Sequence, residues 1–236
     1  LRMCRNQQNV VEGQSFNDWR VSICLHLELK FGKCNNIFGN SKDIGRFSYL
    51  CSGTKILLKM DFEKLVLNRQ SDRRYLPDTV DRNDIMKCLE AARMAPSACN
   101  SQPWKFVIVD DKEKLQEMAT AAEGFGMNKF AQNAPILVAV VLEKMNASAR
   151  LGSLVKRKDY CMLDMGMAVE HFCLQAADLG LGTCIMGWFD EKRIAKLLNI
   201  PRGKRIPLLI ALGHPNNMTR RKSRKPMEEI SSWNSY

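Results

Sequence analysis

The chain has 236 residues, a net charge of +11, 45% hydrophobic and 26% charged residues. That balance is ordinary for a water-soluble globular protein. No run of about 18 apolar residues occurs, which argues against a membrane-spanning helix. The N-terminus lacks the apolar core and small-residue cleavage site of a secretory signal, so a cytoplasmic protein is the expectation. Nine cysteines without a C-x-x-C pair argue against a zinc ribbon or a thioredoxin-like site and fit free thiols in a reducing compartment. The positive charge leaves three readings open: nucleic acid, a phosphorylated cofactor, or a solvated basic face.

In chain order, residues 1–59 stand apart. They hold Cys4, Cys24, Cys34 and Cys51 and show no sustained helical period. Val21–Phe31 has the partial alternation of a short strand, and 35–45 is turn-like. This stretch is expected to be an N-terminal extension, poorly ordered or an artefact of start assignment, with Met60 as the start of a second region, 60–236. From Met60 the pattern is regular. Asp61 to Val66 opens a helix. Asp81–Asp84 is a cap-like lead into a helix whose apolar face is Ile85, Cys88, Leu89 and Ala92, at i, i+3, i+4 and i+7, and which Pro96 ends. Phe106–Val109 reads as a short buried strand and Lys112–Ala122 as a helix. Ile136–Leu142 is an apolar, β-branched strand. Tyr160–Leu179 is a long helix, apolar on much of its circumference, as helices in a core or an interface are. Thr183–Trp188 is short and extended. Asp190 caps a helix through Leu198, Ile206–Leu212 is a further strand, and a basic tail follows. This order predicts one mixed α and β domain.

Four segments carry candidate chemistry. In Arg69-Gln70-Ser71-Asp72-Arg73-Arg74, the alternating Arg, Ser and Arg can converge on one phosphate. Guanidinium groups bind it bidentately and a hydroxyl adds a neutral donor. A solvated helix end explains the same residues. Ala95-Pro96-Ser97-Ala98-Cys99-Asn100-Ser101-Gln102-Pro103-Trp104 is a polar loop bracketed by prolines. Its amides, hydroxyls and carboxamides suit the edge of a heterocycle, while a plain turn with Trp104 in the core is the other reading. Gly180-Leu181-Gly182-Thr183-Cys184-Ile185-Met186-Gly187-Trp188 allows close backbone approach to a flat ligand. It is not a dinucleotide fingerprint, because the third glycine is missing and a helix precedes it. Arg220-Arg221-Lys222-Ser223-Arg224-Lys225 lacks the interleaved aromatics of a nucleic-acid site. His26, His171 and His214 are scattered, and His171 reads as a packing histidine. No metal-ligand spacing and no hydrolase elbow occur. Cys99 and Cys184 read as small fillers rather than a redox pair.

Taken together, these segments resemble the nitroreductase family of flavoproteins. The resemblance lies in the order R-x-S-x-R, P-S-x-x-N-S-Q-P-W, G-L-G-T-C-x-x-G, A-L-G-x-P and K-S-R-K-P-x-E-E, spanning Met60 to Ile230. It implies an α+β fold, a nitroreductase-like mixed sandwich with a central, mostly antiparallel sheet flanked by helices, working as an intertwined homodimer. It implies FMN as cofactor and NADPH or NADH as hydride donor. By this resemblance Arg69, Ser71 and Arg73 grip the FMN phosphate and ribityl chain, with Gln70 contributing main chain. Lys222 and Arg224 close on the same phosphate. Pro96, Ser97 and Asn100 line the isoalloxazine, supported by Gln102. Ile185, Met186 and Gly187 pass along the ring edge. Asn128 and Lys129 are further candidates at its pyrimidine side. No side chain is named as catalytic, because the flavin carries the redox chemistry.

Two residues depart from the family pattern. Gln70 stands where Arg or His is frequent, and Asp72 sets a negative charge beside a phosphate seat. The implied function is ping-pong hydride transfer from NAD(P)H through FMN to a nitroaromatic or quinone-type acceptor. Alternatives are a flavin-dependent dehalogenase or a flavin-binding module without turnover, and more remotely a basic nucleic-acid-binding protein. On the leading reading the partners are a second copy and a small-molecule acceptor, not nucleic acid or a membrane.

Overall fold

The computed structural model describes residues 49–51, 54–56 and 61–236 apart from Arg157, with the side chains of 49–51, 54–56, Arg150 and Leu154 excepted. The chain divides into two compact units, 1–58 and 59–236. In the first, strands β1 (Tyr49–Cys51) and β2 (Thr54–Ile56) pair antiparallel, Tyr49 opposite Ile56. The strand expected at Val21–Phe31, the turn at 35–45 and the rest of the expected N-terminal extension lie outside the described residues.

The second unit runs α1 (Phe62–Asn68), α2 (Arg82–Arg93), β3 (Trp104–Val109), α3 (Lys112–Ala122), β4 (Ile136–Leu142), α4 (Ala147–Lys156), α5 (Tyr160–Asp178), β5 (Gly182–Met186), α6 (Glu191–Leu197), β6 (Leu208–Gly213) and α7 (Met227–Ile230). Short 3-10 turns occur at Ala98–Asn100 and Lys129–Asn133. Aspartates start most of the long helices. Asp81, Asp111, Asp159 and Asp190 each accept from a first-turn backbone N–H, satisfying a donor the helix itself cannot.

The four strands form one antiparallel sheet in the order β3-β4-β6-β5. The unbroken apolar run of β4 is explained by burial on both faces. Leu137, Ala139 and Val141 pack with Ala119, Ala122 and Ile194 of α3 and α6. Ile136, Val138 and Val140 pack with Ile85, Ala92, Val169 and Phe172 of α2 and α5. The result is a three-layer α+β sandwich, in accord with the expected fold class. His171 donates from Nδ1 to Ala91 O at 3.1 Å, a packing role joining α5 to α2.

Strand bounds differ from the sequence reading for local reasons. Strand β3 begins at Trp104, two residues early, because Trp104 pairs with Leu142. Strand β6 begins at Leu208, because Pro207 has no N–H to give the ladder. Helix α4 is an element that the sequence pattern does not announce. Helix α5 buries Met165, Ala168, Phe172 and Ala176 and leaves Met162, Leu163 and Met167 outward. Among the described residues, no helix is long and apolar enough to cross a membrane.

Candidate functional site

Helix α1 ends at Asn68, and the chain turns into an extended segment beside the edge strand β5. Ser71 bridges Thr183 in parallel, and Asp72 N–H donates to Thr183 O at 2.8 Å. Tyr75 then bridges Pro215, and its hydroxyl donates to Asp72 O at 2.6 Å. The chain after β6 passes back over this ribbon. Arg220 N–H donates to Gln70 Oε1 at 3.0 Å, and Arg220 Nη2 to Ser71 O at 2.7 Å. Lys222 Nζ reaches Val66 O and Arg69 O.

The expected phosphate residues therefore converge. Arg69 meets Glu170 at 3.4 Å. The Arg73 guanidinium lies 5.7 Å from the Phe130 ring centre, and Arg224 stays exposed near Lys222. Burial, then the Arg69 and Arg224 charges, pull the Lys222 ammonium below its ordinary pKa, with Glu170 opposing. A lysine held close to two arginines, with hydroxyl and amide donors among them, suits an anion. That donor set fits a phosphate monoester such as the one FMN carries. Beneath it lies Cys184, whose thiol burial holds above the ordinary range, with Arg73 pulling back down most strongly.

Beyond Thr183, the edge of β5 is open to a ligand's polar rim. Thr183 C=O points away from β6, toward Asp72. Main-chain direction alternates along a strand, so the N–H and C=O of Ile185 face the same open edge and those of Met186 face β6. Met186 buries its side chain, whereas Ile185 and Gly187 are exposed. Just beyond, Phe125 is 95% and Trp188 56% exposed, with ring centres 6.3 Å apart. The pair is built by Gly124, where an added Cβ would lie 2.6 Å from Trp188 O, and by Asn128, which donates to Trp188 O at 2.7 Å and Ala122 O at 3.0 Å. The Asn128 amide nitrogen is thus taken up in bracing this turn. Lys129 is exposed.

The Pro96–Gln102 loop lies elsewhere on the protomer. Ala98 N–H donates to buried Asp164 Oδ2 at 2.9 Å, and Asn146 Nδ2 donates to Cys99 O at 2.8 Å. Ser97 Oγ accepts from Gln102 N–H, and Gln102 Nε2 donates to Asn100 Oδ1, both at 3.0 Å. Gln102 thus braces Asn100. Cys99, Asn100 and Gln102 all hold positive φ, a strained backbone that these bonds over-determine. The protomer brings Arg69, Gln70, Ser71, Arg73, Lys222 and Arg224 together beside the β5 edge. It presents Pro96, Ser97, Asn100 and Gln102 on a second surface, held to α4 and α5.

Sequence reasoning assigns no site role to Arg220, Asn217, Phe125 or Trp188. Arg220 is visible only as one of a basic run. For Phe125 a signal exists: an aromatic between two glycines, Gly124 and Gly126, in a turn.

A protein-family model described as the nitroreductase family matches residues 66–125 and 115–214. An NADH dehydrogenase of Thermus thermophilus is 28% identical over 200 residues, covering 74% of this chain and 96% of the relative. An oxygen-insensitive NADPH nitroreductase of Helicobacter acinonychis is 27% identical over 214 residues, covering 75% and 98%. Among solved structures, an FMN-dependent nitroreductase from Clostridium difficile is similar with a TM-score of 0.60 and 25% identity, covering 73% of this chain and 98% of that one.

Proposed function

The chain belongs to the nitroreductase family, and on that premise we propose that it carries hydride equivalents from NAD(P)H, through FMN, to nitroaromatic or quinone-type acceptors. It is an NAD(P)H-dependent flavin oxidoreductase. The observation that carries the reading is the convergence of Arg69, Ser71, Arg73 and Lys222 beside an open strand edge. When bound, FMN supplies the two-electron chemistry. The protein's part is to bind and orient. Arg69, Ser71, Arg73, Lys222 and Arg224 hold the phosphate, with Gln70 bracing them. The main chain of Ile185–Gly187 runs along the ring edge, and Phe125 with Trp188 walls the space where donor and acceptor take turns.

The Pro96–Gln102 loop completes the site of a second copy. In this reading the protein is a homodimer, and the outward Met162, Leu163 and Met167 of α5 are covered by the partner. Two features support it: apolar side chains exposed on one helical face, and a ring-binding loop separated from the phosphate seat of its own protomer.

The decisive experiment is an absorbance spectrum of the purified protein, before and after anaerobic NADPH and NADH. Flavin bands that bleach with either donor are expected. A colourless protein that takes up no added FMN refutes the reading and turns attention to the basic surface as a nucleic-acid site.

A further inference from the structure

A carboxylate beside a phosphate seat should repel the ligand. Asp72 directly follows Ser71 and precedes Arg73 in that seat, yet it is only 6% exposed. Its side chain packs against Gly182, where an added Cβ would lie 2.8 Å from Asp72 Oδ2. Its Oδ1 accepts from Gln70 Nε2 at 2.9 Å and from Asn217 Nδ2 at 2.8 Å. Its main chain is tied to Thr183 and Tyr75. The carboxylate is therefore immobilised and solvated, among the described residues, by two amide groups rather than by a cation.

Those amides lead to the tail. The Gln70 group that donates to Asp72 also accepts, through Oε1, from Arg220 N–H at 3.0 Å and Nε at 3.4 Å. Arg220 returns to Ser71 O at 2.7 Å. Asn217, three residues before Arg220, is bound to Asp72 directly. Its own Oδ1 is buried and without a donor among the described residues. Rotating that amide would set its oxygen against the carboxylate, so the bond to Asp72 decides its orientation at the cost of an orphaned acceptor. The tail thus meets the Arg69–Arg73 turn through two amides that converge on one carboxylate oxygen. Lys222 and Arg224 lie immediately beyond.

We propose that Asp72 is a positioning residue for phosphate binding: with Gln70 and Asn217 it clasps the basic tail to the Arg69–Arg73 turn and so raises the affinity for the FMN phosphate. The inference rests on the FMN reading above. A clasp and a bare repelling charge make opposite predictions, and riboflavin, which lacks the phosphate, separates both from general damage to the fold.

The test is titration of the flavin-stripped full-length protein with FMN and with riboflavin, comparing wild type with Asp72→Ala, Asp72→Asn and Asn217→Ala. Losing the shared acceptor or one donor should weaken FMN by roughly tenfold while riboflavin changes by less than about twofold. Asp72→Asn keeps an oxygen for the two amides and should stay within about threefold of wild type. Asn217→Ala, at a partly buried position, carries the test should Asp72→Ala fold poorly. Tryptic cleavage after Arg220, Arg221 and Lys222 should also quicken in Asp72→Ala and Asn217→Ala. Tighter FMN binding in both Asp72 variants overturns the clasp, as does an equal loss of FMN and riboflavin. If wild type takes up neither flavin, the functional reading fails. The clasp is then judged by the tryptic digest alone, and an unchanged cleavage rate overturns it.

Discussion

Lys222 Nζ donates to Arg69 O at 2.5 Å, joining the C-terminal tail to the end of helix α1. The same ammonium donates to Val66 O, so it caps carbonyls at the negative end of that helix. Burial and the charges of Arg69 and Arg224 nonetheless pull its pKa below the ordinary lysine value of 10.5. A phosphate binds the protonated form. FMN affinity should therefore be full below the depressed pKa and fall as pH rises through it, beginning short of the ordinary lysine range. Lys222→Arg keeps its charge across that window and should flatten the fall. Dissociation constants measured from neutral to alkaline pH decide this, and matching profiles for wild type and Lys222→Arg would refute the role.

Gly182 and Asp72 are expected to be energetically coupled. A methyl group on Gly182 would lie 2.8 Å from Asp72 Oδ2 and 2.9 Å from its Cβ and Cγ. Gly182→Ala should destabilise the protein by about 1–3 kcal/mol through this overpacking. In an Asp72→Gly background most of that loss should vanish, since the clashing Cβ, Cγ and Oδ2 atoms are all gone. Urea unfolding of the four proteins in the cycle measures the coupling. Additive effects would mean that something other than Asp72 resists the methyl group.

What is legible in the sequence follows from local chemistry. Asp81 and Asp190 announce helices because each side chain caps its own first turn. Ile136–Leu142 announces a strand because both its faces are buried. Helix α4 escapes notice although Asn146 caps it, accepting from Ala149 N–H at 2.9 Å; Leu151 and Val155 are exposed, so no strong apolar stripe marks it. The types of site residue are legible in their order along the chain. Their meeting is not, since Gln70 and Arg220 are 150 positions apart. The direction of Asp72 depends on the space above Gly182 and on Asn217, and no local pattern encodes either.

Asp164 should control the ring-binding loop rather than the phosphate seat. It is 3% exposed, and its carboxylate accepts from Ala98 N–H at 2.9 Å. That bond helps hold Cys99, Asn100 and Gln102 at positive φ, where each non-glycine residue costs about 1–2 kcal/mol. Asp164→Ala removes a hydrogen bond to a charged group and should lower stability by about 1.5–3 kcal/mol. If the loop serves the ring as proposed, FMN and riboflavin affinities should fall together, unlike the phosphate-selective loss expected at Asp72. Paired titrations and a urea melt check both parts, and an effect confined to FMN would assign Asp164 to the wrong end of the ligand.

Trp188 should discriminate among electron acceptors. It follows Gly187 and faces Phe125, and both rings are largely exposed. Side chains so exposed contribute little to folding, so Trp188→Ala should change stability by no more than about 0.5 kcal/mol. An aromatic acceptor that stacks on the pair would lose about 0.5–1.5 kcal/mol. Its KM should therefore rise roughly two- to twelvefold at little cost in kcat. Ferricyanide has no ring to stack and serves as the control. Steady-state kinetics with a quinone and with ferricyanide should show the rise for the quinone alone. An equal change for both acceptors would mean that Trp188 shapes the fold of the turn and not the choice of substrate.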